Sequence, residues 1–219
     1  MGGTRMLLAR HGESEWNAVG RWQGQADPPL SALGRHQAKV AAGSLRNIDT
    51  VFSSPLMRAA ETAEIIAGEL GVGPVVFDPG LVERDAGEWS GLTRAEIEQG
   101  WPGYLDPPAD AHAGFAPADG ERTLERRRPP GWEPDDRFLA RALRALERIA
   151  AEAPGGDVLV VTHGGLVYVV EGHLGAPFAR VANLAGRWVE RDDAGAVRLG
   201  DRVMLIDPHD VPVTTPEYL

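Results

Sequence analysis

Short apolar runs alternate along this chain with segments in which apolar residues recur every three or four positions. The runs predict β-strands, at residues 6–10, 50–53, 75–77 and 157–162. The other pattern predicts helices, at residues 31–46, 55–70 and 136–153. The last helix has the clearest apolar stripe, made of Leu139, Leu143, Leu146 and Ile149. This alternation predicts an α/β fold, a three-layer α/β/α sandwich with a mostly parallel central sheet.

Three local signals refine this arrangement. Pro55 follows Ser54 and stands at a favoured first position of a helix. The run from residue 158 to 161 is apolar throughout, which is typical of a central strand covered on both faces. After an apolar segment at residues 166–174, two more strands are predicted at residues 187–191 and 203–206, with a hairpin turn around Asp193-Ala194-Gly195.

Between residues 99 and 135 the periodicity breaks down into Pro, Gly, Ala and charged residues, interspersed with aromatic rings at Trp101, Tyr104, Phe115 and Trp132. One interpretation is a surface loop that these rings anchor. We favour a lid over a site, because long loops in compact domains are often functional. The prediction is a single domain, residues 1–219, with residues 99–135 inserted as a lid or cap.

The composition restricts the chemistry of the chain and its partners. There is no cysteine, which excludes disulfides, a cysteine nucleophile and cysteine metal sites. The formal net charge of -10 argues against a nucleic-acid partner, so an anionic ligand would need a local cationic pocket. The apolar run near the N-terminus is too short for a signal-peptide core, and no run is long enough to span a membrane. We therefore expect a cytoplasmic protein without a membrane partner.

Candidate chemistry lies at the predicted strand ends. In open parallel sheets, ligands bind beyond the carboxyl ends of the strands. The residues at these strand ends are Arg10-His11-Gly12, Arg58, Glu83 and Thr162-His163-Gly164-Gly165. Each of the two histidines precedes a glycine, at a place where packing alone gives little reason for an imidazole. We expect His11 and His163 to be functional together rather than separately structural. Arg58 near a helix N-terminus is best explained by a bound anion. Arg84, Asp85 and Glu88 compete with Glu83 as charged candidates.

Four blocks of the chain resemble the signature of the histidine phosphatase superfamily, also called the phosphoglycerate mutase-like family. The first opens with Arg10-His11-Gly12-Glu13-Ser14-Glu15-Trp16-Asn17 and continues through Gln23-Gly24. The others occur in the family's order, at residues 53–63, 81–92 and 162–165. The match extends over most of the chain outside residues 99–135.

The resemblance implies a role for each matching residue. His11 is the nucleophile that becomes phosphohistidine, and Glu83 is the proton donor to the leaving oxygen. The phosphoryl oxygens are held by Arg10, Arg58 and His163, with assistance from Asn17. The remaining candidates for substrate or phosphate binding are Ser14, Gln23, Gly24, Arg84 and Gly164.

Physical requirements can be stated beside this resemblance. His11 must be neutral at its attacking nitrogen, so its other nitrogen should donate to a backbone carbonyl. The arginines can stabilise the transferring phosphoryl group electrostatically, so no metal and no cofactor are expected. The expected partner is a small phosphorylated substrate, and a homodimer is compatible with the sequence.

The same residues could pass the phosphoryl group to water or to a substrate hydroxyl. We favour a phosphatase, because residues 107–114 do not resemble the basic insertion of the mutases. The alternative is a 2,3-bisphosphoglycerate-dependent phosphoglycerate mutase: Arg94 stands where mutases place a lysine, and Arg126-Arg127-Arg128 is similar to their paired arginines. A more remote alternative is a non-catalytic protein that binds phosphorylated ligands.

Overall fold

The structure, a computed structural model, describes residues 3–105 and 127–214. The strands are β1 Thr4–Arg10, β2 Thr50–Ser53, β3 Val76–Phe77, β4 Asp157–Thr162, β5 Ala185–Arg191 and β6 Val197–Met204. The α-helices are α1 Glu15–Ala18, α2 Ala32–Ala42, α3 Met57–Leu70, α4 Arg94–Gly100, α5 Asp135–Glu152 and α6 Gly164–His173. Two short 3₁₀ turns, Pro79–Leu81 and Gly87–Trp89, follow β3.

The strands form one sheet in the order β3-β2-β4-β1-β5-β6. The pairs among the first four strands are parallel, whereas β5 runs antiparallel to β1 and pairs with β6 as a hairpin. A mostly parallel sheet is therefore confirmed. Because β1 to β4 point the same way, their carboxyl ends meet at one edge of the sheet.

Helices cover both faces of the sheet, as predicted for a sandwich. Successive residues of a strand point to opposite faces, so Leu8 packs with α5 and α6 while Leu7 packs with α2 and α3. Every residue from Val158 to Val161 is fully buried, which confirms β4 as a central strand covered on both sides. The loops that carry the predicted site residues therefore extend from a fully buried part of the sheet.

Several element boundaries differ from the sequence predictions. Pro55 is not the first helical residue, because α3 begins at Met57 after the N-cap Leu56. The helix predicted to reach residue 46 ends at Ala42. The last strand begins at Val197 rather than at residue 203; most of it is half-buried or exposed, so an apolar run does not mark its start. The hairpin around Asp193 is confirmed.

The predicted lid falls largely outside the described residues, since Phe115 and the rest of 106–126 are not described. Both described flanks pack against the ring of Trp89: the Trp132 ring lies 5.6 Å from it, and the rings of Trp101 and Tyr104 each lie 6.4 Å from it. The lid and the single-domain organisation stay predictions. In the described ranges, no helix combines the length and apolarity needed to cross a bilayer.

Candidate active site

The two predicted histidines meet at the carboxyl edge of the sheet. Parallel pairing brings the strand ends level: His11 N donates to Thr162 O at 3.0 Å, directly before His163. The two imidazole rings lie 5.2 Å apart in an edge-to-face arrangement. Both side chains are essentially excluded from solvent, at 2% and 0% exposure. The sheet therefore builds one buried imidazole pair from residues far apart in sequence.

The backbone fixes the tautomer of His11. Its Nδ1 lies 2.6 Å from the carbonyl oxygen of Gly12, and a carbonyl can only accept a hydrogen bond, so Nδ1 carries the proton. This confirms the predicted contact. Burial, followed by the charges of Arg58 and Arg10, holds the pKa of His11 well below its usual value. The ring is therefore neutral, with its lone pair on Nε2.

Arg58 faces that lone pair. Its Nε donates to His11 Nε2 at 3.2 Å, while Nη1 and Nη2 donate to the carbonyls of Ala26 at 2.7 Å and Gly24 at 2.9 Å. Burial lowers the pKa of Arg58 to about 10, so the guanidinium remains a cation at neutral pH. The forked geometry holds a full positive charge beside Nε2 of His11.

Gly24, which was predicted to line the substrate site, contributes its carbonyl to Arg58. Its φ of +53° favours glycine, and a Cβ at this position would come within 2.7 Å of Ala86 N. The structure therefore gives Gly24 a role in holding Arg58. Contact with substrate stays a prediction for this residue.

Arg10 supplies the second buried cation. It is 4% exposed, and its Nη1 donates to the carbonyls of Val181 at 3.0 Å and Thr214 at 3.3 Å. Desolvation by burial lowers its pKa, partly offset by the charges of Tyr168 and Glu83. Two buried arginines thus give this edge of a strongly acidic chain a local positive field, as an anionic ligand requires.

His163 keeps one ring nitrogen unpaired. Its Nε2 lies 2.8 Å from the hydroxyl of Ser54, at the end of β2, whereas its buried Nδ1 has no hydrogen-bond partner in the described parts of the chain. When Ser54 donates to Nε2, Nδ1 carries the proton and can donate to a ligand oxygen. Burial and then the charge of Arg58 lower the pKa of His163.

Glu83 is held against the start of α6. Its Oε2 accepts from Gly165 N at 3.0 Å and its Oε1 accepts from Arg84 N at 2.8 Å. A Cβ on Gly165 would come within 2.3 Å of Oε1, so a glycine at this position permits the approach. Glu83 also raises the pKa values of Arg58 and Arg10. The carboxylate therefore belongs to the same charged cluster as the arginines.

The predicted residues Ser14, Asn17 and Gln23 brace the loop after His11. Ser14 caps α1 by accepting from Asn17 N at 3.2 Å, and its hydroxyl lies 2.8 Å from Gln23 Oε1. The Asn17 carboxamide accepts from Ser14 N in return. The structure shows these residues ordering the loop, and their contact with substrate stays a prediction.

Arg84 is not directed toward the histidines. Its guanidinium donates to Glu133 O at 2.8 Å, forms an ion pair with Asp135 at the start of α5, and lies 4.4 Å from the ring of Phe138. Its predicted role in phosphate binding is therefore unsupported.

Of the alternatives to Glu83, Asp85 accepts from Gly87 N in a turn. Gly164 is the first residue of α6, and phosphate binding there stays a prediction.

Sequence reasoning missed residues that hold His11 and Arg10 in place. Asn183 is fully buried and donates from Nδ2 to His11 O at 2.9 Å. Thr214 accepts from Arg10 through its carbonyl and donates from its hydroxyl to Glu13 at 2.5 Å. Both reach the site from segments without a periodic pattern, so no signal in the sequence marks them. Across residues 3–105 and 127–214, no group of three or more His, Asp or Glu side chains is placed to hold a metal ion.

The fold and the site define a class of protein. Two buried histidines, two buried arginines and a carboxylate, gathered at the carboxyl edge of a mostly parallel sheet, are the equipment of an enzyme of the phosphatase class. Residues 6–186 match the family described as the histidine phosphatase superfamily, branch 1. The chain belongs to this superfamily.

Relatives point to its phosphatase branch. The chain is 34% identical over 209 residues to a metal-independent phosphoserine phosphatase of Arabidopsis thaliana, covering 93% of this chain and 80% of the relative. It is 34% identical over 218 residues to a glucosyl-3-phosphoglycerate phosphatase of Mycobacterium tuberculosis, covering 90% and 92%.

Solved structures agree with this assignment. Bacillus stearothermophilus YhfR superposes with a TM-score of 0.74 at 30% identity, covering 93% of this chain and 100% of that one. A mycobacterial glucosyl-3-phosphoglycerate phosphatase in complex with VO3 gives a TM-score of 0.70 at 28% identity, covering 91% and 97%.

Proposed function

We propose that this enzyme hydrolyses phosphomonoesters of small metabolites without a metal, through a phosphohistidine formed on His11. The observation that carries the proposal is the state of His11: Nδ1 is committed to Gly12 O, and the neutral Nε2 faces the cation of Arg58. A nucleophile for phosphorus needs a lone pair and nearby positive charge. His11 Nε2 has both once the Arg58 N–H, which donates to it at 3.2 Å, moves its hydrogen bond to a phosphoryl oxygen.

In the first step, Nε2 attacks phosphorus in line with the ester oxygen. Glu83 enters this step in its protonated form. The N–P bond forms as the P–O bond to the leaving group breaks, and the leaving oxygen takes the proton of the Glu83 carboxyl. Arg10, Arg58 and the unpaired Nδ1 of His163 supply donors for the three remaining phosphoryl oxygens. The products are a free alcohol and phospho-His11.

In the second step, water attacks the phosphorus of phospho-His11. Glu83, now a carboxylate, takes a proton from this water, the N–P bond breaks, and its electron pair returns to Nε2. Inorganic phosphate leaves, and both side chains recover their starting states. The buried arginines provide positive charge through both steps, and a relative named as a metal-independent phosphatase supports chemistry without a metal. The VO3 complex of a structural neighbour supports an anion site in this fold.

Water is favoured over a substrate hydroxyl as the acceptor. The cations that suggested a mutase are engaged within the described structure: Arg94 forms an ion pair with Glu98, Arg127 lies over Tyr104, and Arg128 lies over Trp132. Arg126 lies outside the described residues. The full set of His11, His163 and Glu83 argues against a protein that only binds phosphorylated ligands. A cytoplasmic location and a homodimer stay predictions.

Phosphate release from a panel of phosphomonoesters tests the proposal. The panel should contain sugar phosphates, phosphoserine, phosphoglycerates, nucleotides and p-nitrophenyl phosphate, assayed with excess EDTA. We expect turnover in EDTA on at least one small metabolite, and no interconversion of phosphoglycerates on addition of 2,3-bisphosphoglycerate. Loss of all turnover in EDTA, restored by Mg²⁺, would overturn metal independence. Fast bisphosphoglycerate-dependent interconversion would identify a mutase.

A further inference from the structure

One arginine of α5 holds the backbone of the segment that carries Glu83. Arg141 Nη1 donates to the carbonyls of Gly80 at 2.9 Å and Val82 at 2.7 Å, and Nη2 donates to Glu83 O at 2.8 Å. These three carbonyls lie within four consecutive residues. The segment has no regular secondary structure after the 3₁₀ turn, so a single guanidinium supplies the hydrogen-bond donors for its carbonyls.

Glu133 orients that guanidinium. Its Oε1 accepts from Arg141 Nε at 2.7 Å and its Oε2 accepts from Nη2 at 2.8 Å, which is the bidentate geometry of strong arginine–carboxylate pairs. The Glu133 side chain is 8% exposed and that of Arg141 is 16% exposed. Although burial raises the pKa of Glu133, the hydrogen bonds and charge of Arg141 lower it overall. Arg141 and Glu133 are therefore both charged and form an ion pair.

This ion pair contacts the main chain around Glu83 and not its carboxylate. The carboxylate is held by the amides of Gly165 and Arg84, whereas the carbonyl of the same residue is held by Arg141. Glu133 also accepts from Asp85 N at 3.2 Å, on the other side of Glu83 in the chain. Main-chain bonds before, at and after Glu83 therefore converge on one ion pair.

We propose that Arg141, oriented by Glu133, is a positioning residue that holds the Glu83 carboxyl at the distance and angle needed for proton transfer to the leaving oxygen. The proposal rests on the proposed function, since it assumes that Glu83 is the acid. A displacement of about 1 Å from the productive geometry is enough to slow a reaction by roughly a hundredfold. Arg141 would act without touching the substrate.

The same helix offers a matched control. Arg148 lies two turns further along α5 and makes a comparable bidentate pair with Asp78, at 2.9 and 2.7 Å. Asp78 caps the 3₁₀ turn that precedes Glu83, but in the described structure Arg148 bonds to the Asp78 side chain and not to the backbone of residues 82–85. Replacing Arg148 therefore removes a similar ion pair from the same helix while leaving the contacts of Glu83 intact.

The test compares Arg141→Lys, Arg148→Lys and Glu83→Gln on two substrates, p-nitrophenyl phosphate and an alkyl phosphate that the wild-type enzyme hydrolyses. Rates are taken from single-turnover experiments that isolate the first step, because Glu83 also acts in the second step, which both substrates share. Nitrophenolate leaves without a proton, whereas an alkoxide needs one. Lysine keeps the charge, so Arg141→Lys removes only the fork. We expect Arg141→Lys to slow the alkyl phosphate roughly tenfold or more and nitrophenyl phosphate less than about threefold. Arg148→Lys should change both rates less than about twofold.

A second comparison separates positioning from general damage. If Arg141 acts through Glu83, adding Arg141→Lys to Glu83→Gln should cause no further loss on the alkyl phosphate. Equal losses on both substrates, or losses that multiply in the double variant, would overturn the proposal. If Arg141→Lys does not fold by circular dichroism, Glu133→Gln takes its place with the same expectations, because it weakens the orientation of Arg141 and keeps its bonds to the carbonyls.

The two proposals fail in different ways. If Glu83→Gln slows both substrates equally, Glu83 is not the acid. The proposed mechanism then fails, and the positioning role of Arg141 fails with it. If Glu83→Gln is selective for the alkyl phosphate but Arg141→Lys is not, only the positioning role of Arg141 fails.

Discussion

The Nε of Arg58 donates to Nε2 of His11 at 3.2 Å. The nitrogen that we propose attacks phosphorus therefore already faces a cationic donor before substrate arrives. Because the same guanidinium is anchored on the carbonyls of Gly24 and Ala26, it cannot move far when a phosphoryl group enters. Its N–H group can instead shift its hydrogen bond from the nitrogen to a phosphoryl oxygen. The positive charge that a phosphoryl group needs is therefore in place before the ligand binds.

Arg58→Lys should therefore be a strongly impaired variant. An ammonium keeps the charge but cannot reach His11, Gly24 and Ala26 together, so we expect kcat/KM to fall roughly 10²- to 10³-fold. Arg35→Lys is the matched control, because Arg35 forms an exposed pair with Glu61 and should retain wild-type rates. Steady-state kinetics on nitrophenyl phosphate measure both. Near-normal kcat/KM in Arg58→Lys would refute this role.

Glu83→Gln should discriminate between leaving groups. Glutamine has one carbonyl oxygen, so it keeps only one of the two bonds from the amides of Gly165 and Arg84. It also cannot deliver a proton at neutral pH, so we expect alkyl phosphates to slow by about 10²-fold or more. Hydrolysis of nitrophenyl phosphate should slow much less in single-turnover experiments that isolate the first step. A uniform loss across leaving groups in those experiments would count against Glu83 as the acid.

Gly165→Ala tests the close approach of Glu83 to α6. The new Cβ would lie within 2.3 Å of Oε1, so the carboxyl must swing aside while the backbone stays in place. We expect a folded enzyme with reduced activity on alkyl phosphates. Gly68→Ala in α3 is the control: its Cβ would meet nothing within 4 Å, and it should stabilise the protein by up to about 1 kcal/mol with unchanged activity. Wild-type activity in Gly165→Ala would contradict the model of the acid.

The buried histidines predict acid sensitivity. Burial lowers the pKa values of His11 and His163 below 6.5, so the unfolded chain binds more protons than the folded one as the pH falls through about 6.5. Stability then rises with pH in this window and is lost toward lower pH. Each histidine contributes up to about 2 kcal/mol of that loss between about pH 7 and pH 5.

Urea unfolding of His11→Asn and His163→Asn at the two pH values measures this contribution. Each variant should lose less stability on acidification than the wild type does. Replacing His36, which is exposed, should leave the pH dependence unchanged. If the histidine variants keep the full acid sensitivity of the wild type, the buried neutral state assigned to the pair is wrong.

The sequence predicted those parts of the fold that depend on local patterns. Apolar runs gave β2 and β4 with correct bounds, and the stripe in α5 placed that helix within one residue. The start of β6 was missed because an edge strand of this kind buries too few side chains to show a pattern. Helix starts at residues such as Pro55 were misplaced because the chain can remain extended for two residues before the first turn.

The site was predictable where it followed strand ends and unpredictable where it depended on distant contacts. His11 and His163 could be placed together because parallel strands finish at one edge. Arg84 was assigned to phosphate binding, but packing against Phe138 and the pair with Asp135 turn it toward α5. Asn183, Thr214 and Arg141 carry no motif. Only the folded structure brings Asn183 and Arg141 to the carbonyls of His11 and Glu83, and Thr214 to the guanidinium of Arg10.

The central claim is that His11 carries the phosphoryl group. Rapid quenching in alkali of the enzyme with a turned-over phosphomonoester, followed by digestion and mass spectrometry, tests it directly. We expect an acid-labile, alkali-stable phosphate on the peptide that contains His11, and its absence in a folded, inactive His11→Ala variant. A phosphate on another residue, or hydrolysis by His11→Ala at the wild-type rate, would contradict the account.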